Sequence, residues 1–189
     1  MKEIALGFSS LLFSGKKKSK SIYKTTHKQR SEIFKNLFTP VKINLYNFIM
    51  KSLNFAEDGN DIYQNTVLRA FKYFKNFDRS LDFKPWIFAI ANNEIKRFYK
   101  KNSQFKFVDN IFNSTEFQSV EDSGKEIVQI IFSIAQELKL RERQIFFMFY
   151  DSGFNINEIS EIIGIKPGNV KVILSDSRKK IRRSLGVKK

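Results

Sequence analysis

Residues 155–183 read NINEISEIIGIKPGNVKVILSDSRKKIRR, and this stretch decides the fold of the C-terminal part. The spacing from Asn155 to Glu158 is that of a capping box, which predicts the start of a short helix. Gly164 supplies the residue that a left-handed turn needs, and Pro167 fits the first turn of a second helix. Two helices joined in this way predict a helix-turn-helix, whose second helix would lie in the major groove of DNA.

The second helix has an inward and an outward face at about 100° per residue. Its inward positions are Val170, Leu174, Ser177 and Ile181. The predicted contacts with duplex DNA lie on and beside the outward face: Lys166, Asn169, Lys171, Val172, Ser175, Asp176, Arg178 and Lys179. Such side chains would meet base edges and phosphates. The alternative is an ordinary helical hairpin with a solvated basic face.

The rest of the chain also follows a helical period. Apolar residues recur at spacings of three and four within 33–49, 63–74, 87–98 and 127–138, and residues 141–151 predict a further short helix. Pro40 predicts a kink or break, and Gly59 with Asn60 predicts another. No alternating strand pattern of useful length occurs. The predicted fold class is therefore all-α.

We predict two small helical domains joined by a flexible linker. The first covers residues 27–101 and the second residues 125–189, with the linker at 102–124. Residues 102–126 hold five acids and two lysines, a net of −3, and have no clear helical period, which is typical of a linker. Residues 1–26 predict a basic, mobile extension, and a short membrane-surface or partner-binding helix is the alternative.

The amino-acid composition limits the kinds of functional site that the protein can contain. The 189 residues include 34 Lys+Arg and 19 Asp+Glu, a formal net charge of +15. This excess favours a polyanionic partner, nucleic acid first and an anionic membrane surface second. Cys is absent and His occurs once, which excludes disulfides, thiol nucleophiles and Cys- or His-cluster metal sites. We therefore predict no catalytic residues, no metal and no cofactor, and so a protein that is not an enzyme.

No stretch of the sequence reaches the roughly 18 apolar residues of a membrane span. We predict no stable membrane insertion and a cytoplasmic location. A second nucleic-acid signal lies in residues 74–86, where four aromatic residues interleave with Lys75, Arg79 and Lys84. Bases stack on rings while cations pair with phosphates, which suits single-stranded DNA. The other interpretation places the rings in the core, and for Phe74 that interpretation is favoured.

Two stretches together resemble a known family. The first is DIYQNTVLRAFKYFKNFD (61–78) followed by FKPWIFAIANNEIKRFYKK (83–101), and the second is LKLRERQIFFMFYDSGFNINEISEIIGIKPGNVKVILSDSRKKIRRSL (138–185). Both resemble regions of the sigma factors of bacterial RNA polymerase, in the extracytoplasmic-function (ECF) branch of the sigma-70 family. They occur in the family's order with its linker between them.

The resemblance implies a transcription initiation factor that binds core RNA polymerase and directs it to specific promoters. Its contacts with the clamp coiled coil of the polymerase's largest subunit would be Asp61, Gln64, Asn65, Leu68 and Arg69. Its contacts with the melted −10 element would be Lys75, Asn76, Phe77, Lys84, Trp86, Asn92, Asn93, Lys96, Arg97 and Lys100. The helix-turn-helix would read the −35 element as duplex. The polymerase flap and an anti-sigma factor are further partners that the resemblance implies.

The sequence departs from the family pattern at a few positions. Arg97 stands where the family often has Asp. In the second helix of the helix-turn-helix, Val172-Ile173 replaces a small polar residue and an Arg, and Asp176 replaces a second Arg. Asp176 would repel phosphate or accept a hydrogen bond from a cytosine amino group. The alternative function is a stand-alone helix-turn-helix regulator, which would have no need of residues 61–101.

Overall fold

The structure, a computed structural model, describes residues 26–53, 56–102 and 123–186. Within these ranges it contains helices and no strands, so the predicted all-α class is confirmed. The helices are α1 (His27–Phe38), α2 (Lys42–Ser52), α3 (Ala56–Tyr73), a short 3-10 helix (Phe74–Asn76), α4 (Phe83–Asn102), α5 (Ser123–Gln136), α6 (Leu140–Tyr150), α7 (Ile156–Ile163) and α8 (Pro167–Ser184). The N-terminal extension and the acidic linker fall almost entirely outside the described residues.

The N-terminal half is built from α1 to α4. Thr26 caps α1 through a capping box, because its hydroxyl accepts from the Gln29 N–H at 3.3 Å and its own N–H donates to Gln29 Oε1 at 3.0 Å. The break predicted at Pro40 is confirmed, since that residue lies in the turn between α1 and α2. The core of this half is fully buried: Leu45, Phe48, Ile49, Ile87, Phe88 and Ile95.

The break predicted at Gly59 and Asn60 is wrong, because α3 runs through both residues. Gly59 is buried against α2, and a Cβ at this position would lie 2.3 Å from Sδ of Met50. The glycine therefore lets two helices approach closely. Its poor helix propensity, about 1 kcal/mol relative to Ala, is offset by packing that no local pattern reveals.

An aromatic cluster fills the corner where the chain passes from α3 to α4. Phe34 contacts Phe74 edge-on, with ring centroids 5.2 Å apart, and the centroids of Phe77 and Trp86 are 4.6 Å apart. Phe74, Phe77 and Phe83 are 2%, 9% and 6% exposed. The core interpretation is thus confirmed for Phe74, and the same burial applies to the other two rings.

The C-terminal half contains the predicted helix-turn-helix. The Asn155 carboxamide oxygen accepts from the backbone N–H of Glu158 at 3.0 Å, and the Glu158 carboxylate accepts from the Asn155 N–H at 2.8 Å. Gly164 adopts φ 78° and ψ 43°, the left-handed conformation that the turn needs. The four predicted inward residues of α8 are buried: Val170, Leu174, Ser177 and Ile181.

The two halves lie against each other, with α2 beside α6 and α4 beside α7. Phe88 of α4 meets Phe154, just before α7, with ring centroids 4.7 Å apart and planes at 72°. The apolar core is continuous across this interface. The predicted division into two domains, with bounds at 27–101 and 125–189, stays a prediction.

Candidate nucleic-acid interface

One face of α3 is open to solvent and carries the residues predicted for the polymerase clamp. They are Asp61, Gln64, Asn65, Leu68 and Arg69. The opposite face of the helix is buried through Ile62, Thr66 and Ala70. Leu68 is 68% exposed at the centre of an otherwise polar stripe. An exposed apolar side chain rimmed by polar ones is the arrangement of a protein contact, so this face is available to a partner.

Glu94 of α4 joins two predicted sites that the sequence analysis kept apart. Its carboxylate oxygen lies 3.0 Å from Nε of Arg69 and 2.6 Å from Nη1 of Arg97. The Glu94 side chain is only 10% exposed, so the two arginines compensate a largely buried charge. Glu94 was not among the predicted site residues, although its i,i+3 spacing to Arg97 was a usable signal.

The residues predicted for the melted strand do not form one open surface. Lys75, Asn76, Lys96 and Lys100 are exposed; Lys84, Trp86, Asn93 and Arg97 are half-buried; Phe77 and Asn92 are buried. Phe77 belongs to the aromatic cluster described above. Lys84, Asn92 and Lys96 contact the C-terminal half of the chain.

Asn92 and Lys96 of α4 contact the carboxyl end of α7. Asn92 is 1% exposed, and its side-chain amide donates to the carbonyl of Ile162 at 3.1 Å. The Lys96 ammonium donates to the carbonyl of Ile163 at 3.4 Å. Helix-terminal carbonyls have no partner inside their own helix, so these side chains satisfy them. Although the Lys96 side chain as a whole is exposed, desolvation of its ammonium group, and then the positive charge of Arg141, hold the pKa of Lys96 below its ordinary value.

Lys84 contacts the turn between α6 and α7. Its ammonium lies 2.5 Å from the carbonyl oxygen of Ser152 and 4.6 Å from the centroid of the Phe154 ring. The first contact is a charge-assisted hydrogen bond and the second a cation–π contact. Lys84 is therefore engaged by the other half of the chain.

Arg143 of α6 is the buried polar hub between the halves, and it is 3% exposed. Its Nη2 donates to the carbonyl of Ser52 at 2.9 Å and to the Tyr99 hydroxyl at 3.2 Å. Its Nη1 donates to the carbonyl of Gln136 at 2.6 Å. Burial lowers the pKa of Arg143 and raises the pKa of Tyr99, while the contact between them opposes both shifts. Arg143 was not among the predicted site residues, since no local sequence pattern distinguishes it from its exposed neighbour Arg141.

A second cross-half contact lies beside this hub. The Lys51 ammonium is 2.6 Å from the Asp151 carboxylate and 4.5 Å from the centroid of the Phe132 ring. Both side chains are largely covered, at 25% and 19% exposure. Neither residue is among the predicted DNA or polymerase contacts. The interface between the halves is therefore also stabilised by contacts outside those predicted sites.

The outward face of α8 is open. Lys166, Asn169, Lys171, Val172, Asp176, Arg178 and Lys179 are exposed, and Ser175 is half-buried. Val172 is 59% exposed, whereas Ile173 packs against the core. Asp176 lies 3.2 Å from the Lys179 ammonium, an exposed i,i+3 pair. The structure therefore brings the predicted duplex contacts to one accessible surface.

Neither a metal site nor a membrane-spanning helix occurs in the described ranges. Among the residues at 26–53, 56–102 and 123–186, no three acidic or His side chains are grouped as a metal ion would require. None of the helices in that part of the chain is long and apolar enough to cross a membrane.

Each half of the chain matches a known protein family model. Residues 37–105 match the family model for sigma-70 region 2, and residues 129–181 match the model for sigma-70 region 4. The chain belongs to the sigma-70 family of RNA polymerase sigma factors. This family acts in transcription initiation and is non-catalytic, in agreement with the predicted lack of an enzymatic site.

Two relatives from Bacillus subtilis (strain 168) support the ECF branch. The chain is 24% identical to the ECF RNA polymerase sigma factor SigM over 142 residues, which covers 74% of this chain and 86% of the relative. It is 25% identical to the ECF RNA polymerase sigma factor SigW over 176 residues, which covers 86% and 94%. The predicted membership in this branch is confirmed.

Two solved structures share the fold. The sigma factor RpoE, in complex with the anti-sigma factor NepR from Bartonella quintana, matches with a TM-score of 0.69 at 21% identity, covering 84% of this chain and 99% of that one. CnrH, in complex with the cytosolic domain of CnrY, matches with a TM-score of 0.62 at 17% identity, covering 82% and 89%. These likenesses concern the architecture of the chain.

Proposed function

We propose that this sigma factor binds core RNA polymerase through the exposed face of α3, melts the −10 element with α4 and the loop before it, and reads the −35 element with α8. The observation that carries the proposal is the presence of two separate open faces on one chain. The α3 face centres on the exposed apolar Leu68, which suits a protein partner. The α8 face is basic and polar, which suits duplex DNA.

The charge distribution supports separate roles for the α3 face and the α8 face. Residues 178–189 hold seven positive residues and no acid, so the C-terminal end of α8 and the tail after it attract phosphate. A stand-alone regulator would use this surface alone. The flap contact, the anti-sigma partner and the cytoplasmic location stay predictions that accompany family membership.

Co-migration with purified bacterial core RNA polymerase on gel filtration tests the proposed function. We expect a stoichiometric complex at about 0.3 M salt, where the Debye length falls to roughly 5–6 Å and loose charge attraction is largely screened. A folded chain that elutes apart from the polymerase, and footprints a promoter by itself, would replace the proposal with the stand-alone regulator.

Base specificity within the −35 element gives a second prediction. Asp176 points away from the core on α8 and carries an acceptor that matches a cytosine amino group. We expect Asp176→Ala to relax the preference at one base pair by about 1–3 kcal/mol, roughly five- to 150-fold. Selection of bound duplexes from a randomised −35 pool, with the polymerase complex, measures this preference.

The matched control is Glu161→Ala, which removes an exposed acid from α7 of the same helix-turn-helix. Both variants gain one unit of positive charge, so both bind all duplexes more tightly at low salt. Only the Asp176 variant should change the selected sequence. Identical selected sequences for the two variants and the parent would show that Asp176 acts through charge alone.

A further inference from the structure

One carboxylate oxygen contacts a residue from each of two predicted sites. Oε1 of Glu94, on α4, accepts a hydrogen bond from Nη1 of Arg97 at 2.6 Å and lies 3.0 Å from Nε of Arg69 on α3. We propose that Glu94 is a positioning residue for two partners, which holds Arg69 ready for the polymerase and Arg97 ready for the melted strand. This role rests on the proposed function, because it takes the two arginines as contacts of those partners.

The burial of the three side chains fits a positioning role. The Glu94 side chain is 10% exposed, whereas those of Arg69 and Arg97 are 41% and 36% exposed. The carboxylate is therefore enclosed by the fold, while both arginines stay accessible to a partner. A buried anion that fixes two accessible cations acts on binding through them, without touching either partner itself.

The physical basis is the conformational freedom of arginine. A long side chain that is already held in place loses less rotamer freedom when it binds. A guanidinium group carries several N–H donors, and each arginine meets Oε1 through one nitrogen, so further donors serve the partner. Two guanidinium groups also repel each other at short range, and the carboxylate between them offsets this repulsion.

The affinity for core polymerase tests the role toward Arg69. Glu94→Ala should weaken binding about fivefold, because Arg69 must then be ordered during binding. Glu94→Gln loses the same charge but keeps an acceptor oxygen, so it should recover most of that loss. In an Arg69→Ala background, Glu94→Ala should have no further effect, because the side chain that it positions is gone. Titration of fluorescently labelled protein with core polymerase, at about 0.3 M salt, measures these affinities.

The complex with core polymerase tests the role toward Arg97. The probe is a fluorescent mixed-sequence single-stranded DNA of about 20 nucleotides, titrated into each variant saturated with polymerase, and polymerase alone gives the background. Glu94→Ala should bind the strand about fivefold more weakly than Glu94→Gln. The two variants have the same net charge, so their general attraction for phosphate is matched. Arg97→Ala should abolish the difference between them.

A purely structural Glu94 would act through the stability of α4, and its effect would persist without the arginines. Additive losses in the Arg69→Ala and Arg97→Ala backgrounds would therefore overturn the positioning role, and so would equal affinities of the Ala and Gln variants. If Glu94→Ala fails to fold, Glu94→Asp replaces it, since it keeps the charge but withdraws the carboxylate by one methylene, and its effect must likewise vanish without Arg69. Gel filtration of the parent with core polymerase distinguishes the two failures: a parent complex with additive losses rejects the role of Glu94 alone, whereas no parent complex rejects the proposed function.

Discussion

Arg143→Ala is expected to lower the free energy of unfolding by about 3 kcal/mol. The substitution removes the donor to three acceptors: the carbonyls of Ser52 and Gln136 and the hydroxyl of Tyr99. The two carbonyls end α2 and α5, so neither has a partner in its own helix. Each buried group left without a partner costs about 1–3 kcal/mol, and the removed side chain leaves a cavity between the halves. Urea denaturation followed by circular dichroism at 222 nm measures the loss.

Arg141→Ala is the matched control, since Arg141 is exposed on the same helix. Its effect should stay within about 0.5 kcal/mol, as for other surface substitutions. Arg143→Lys keeps the charge but cannot reproduce the planar fork that reaches several acceptors, so most of the loss should remain. Equal stability of the Arg141 and Arg143 variants would show that the buried hub contributes nothing to folding.

Local signals predicted most of the C-terminal half. The Asn155–Glu158 capping box, the left-handed Gly164 and the first-turn Pro167 act within a few residues of their own position, and the structure has all three. The inward and outward faces of α8 also follow from helical period alone. These features could be read from the sequence because their physical causes are local.

The features that escaped prediction depend on distant parts of the chain. Gly59 was expected to end a helix, but its role is set by Met50 on another helix. Asn92 was expected to face DNA, yet its partner Ile162 is 70 positions away in the sequence. A helical pattern shows on which face of its helix a side chain lies. It does not show which other element of the fold covers that face.

One departure from the family pattern has a structural account. Arg97 stands where the family often has Asp, and here it pairs with the largely buried Glu94 at 2.6 Å. Since Glu94 also holds Arg69 of the α3 face, the arginine at 97 helps to neutralise a carboxylate that links the two sites. The positive charge at position 97 therefore stabilises a contact within the protein, in addition to any contact that it makes with DNA.

Leu68→Glu is expected to weaken core polymerase binding by about 100-fold, which corresponds to about 2.7 kcal/mol. Leu68 is 68% exposed and central on the α3 face, so its replacement leaves the fold intact. In the complex, the new carboxylate would be buried in a contact that has no partner prepared for it, and an unpaired buried charge is strongly unfavourable. Titration of fluorescently labelled protein with core polymerase, at about 0.3 M salt, measures the affinity.

Ile43→Glu supplies the matched control, because Ile43 is a large apolar residue, 63% exposed, on α2 outside the α3 face. It should leave the polymerase affinity within about twofold of the parent's, in the range of interface-neutral changes. Equal weakening by both variants would point to a general effect of added negative charge and would remove the α3 face from the proposal.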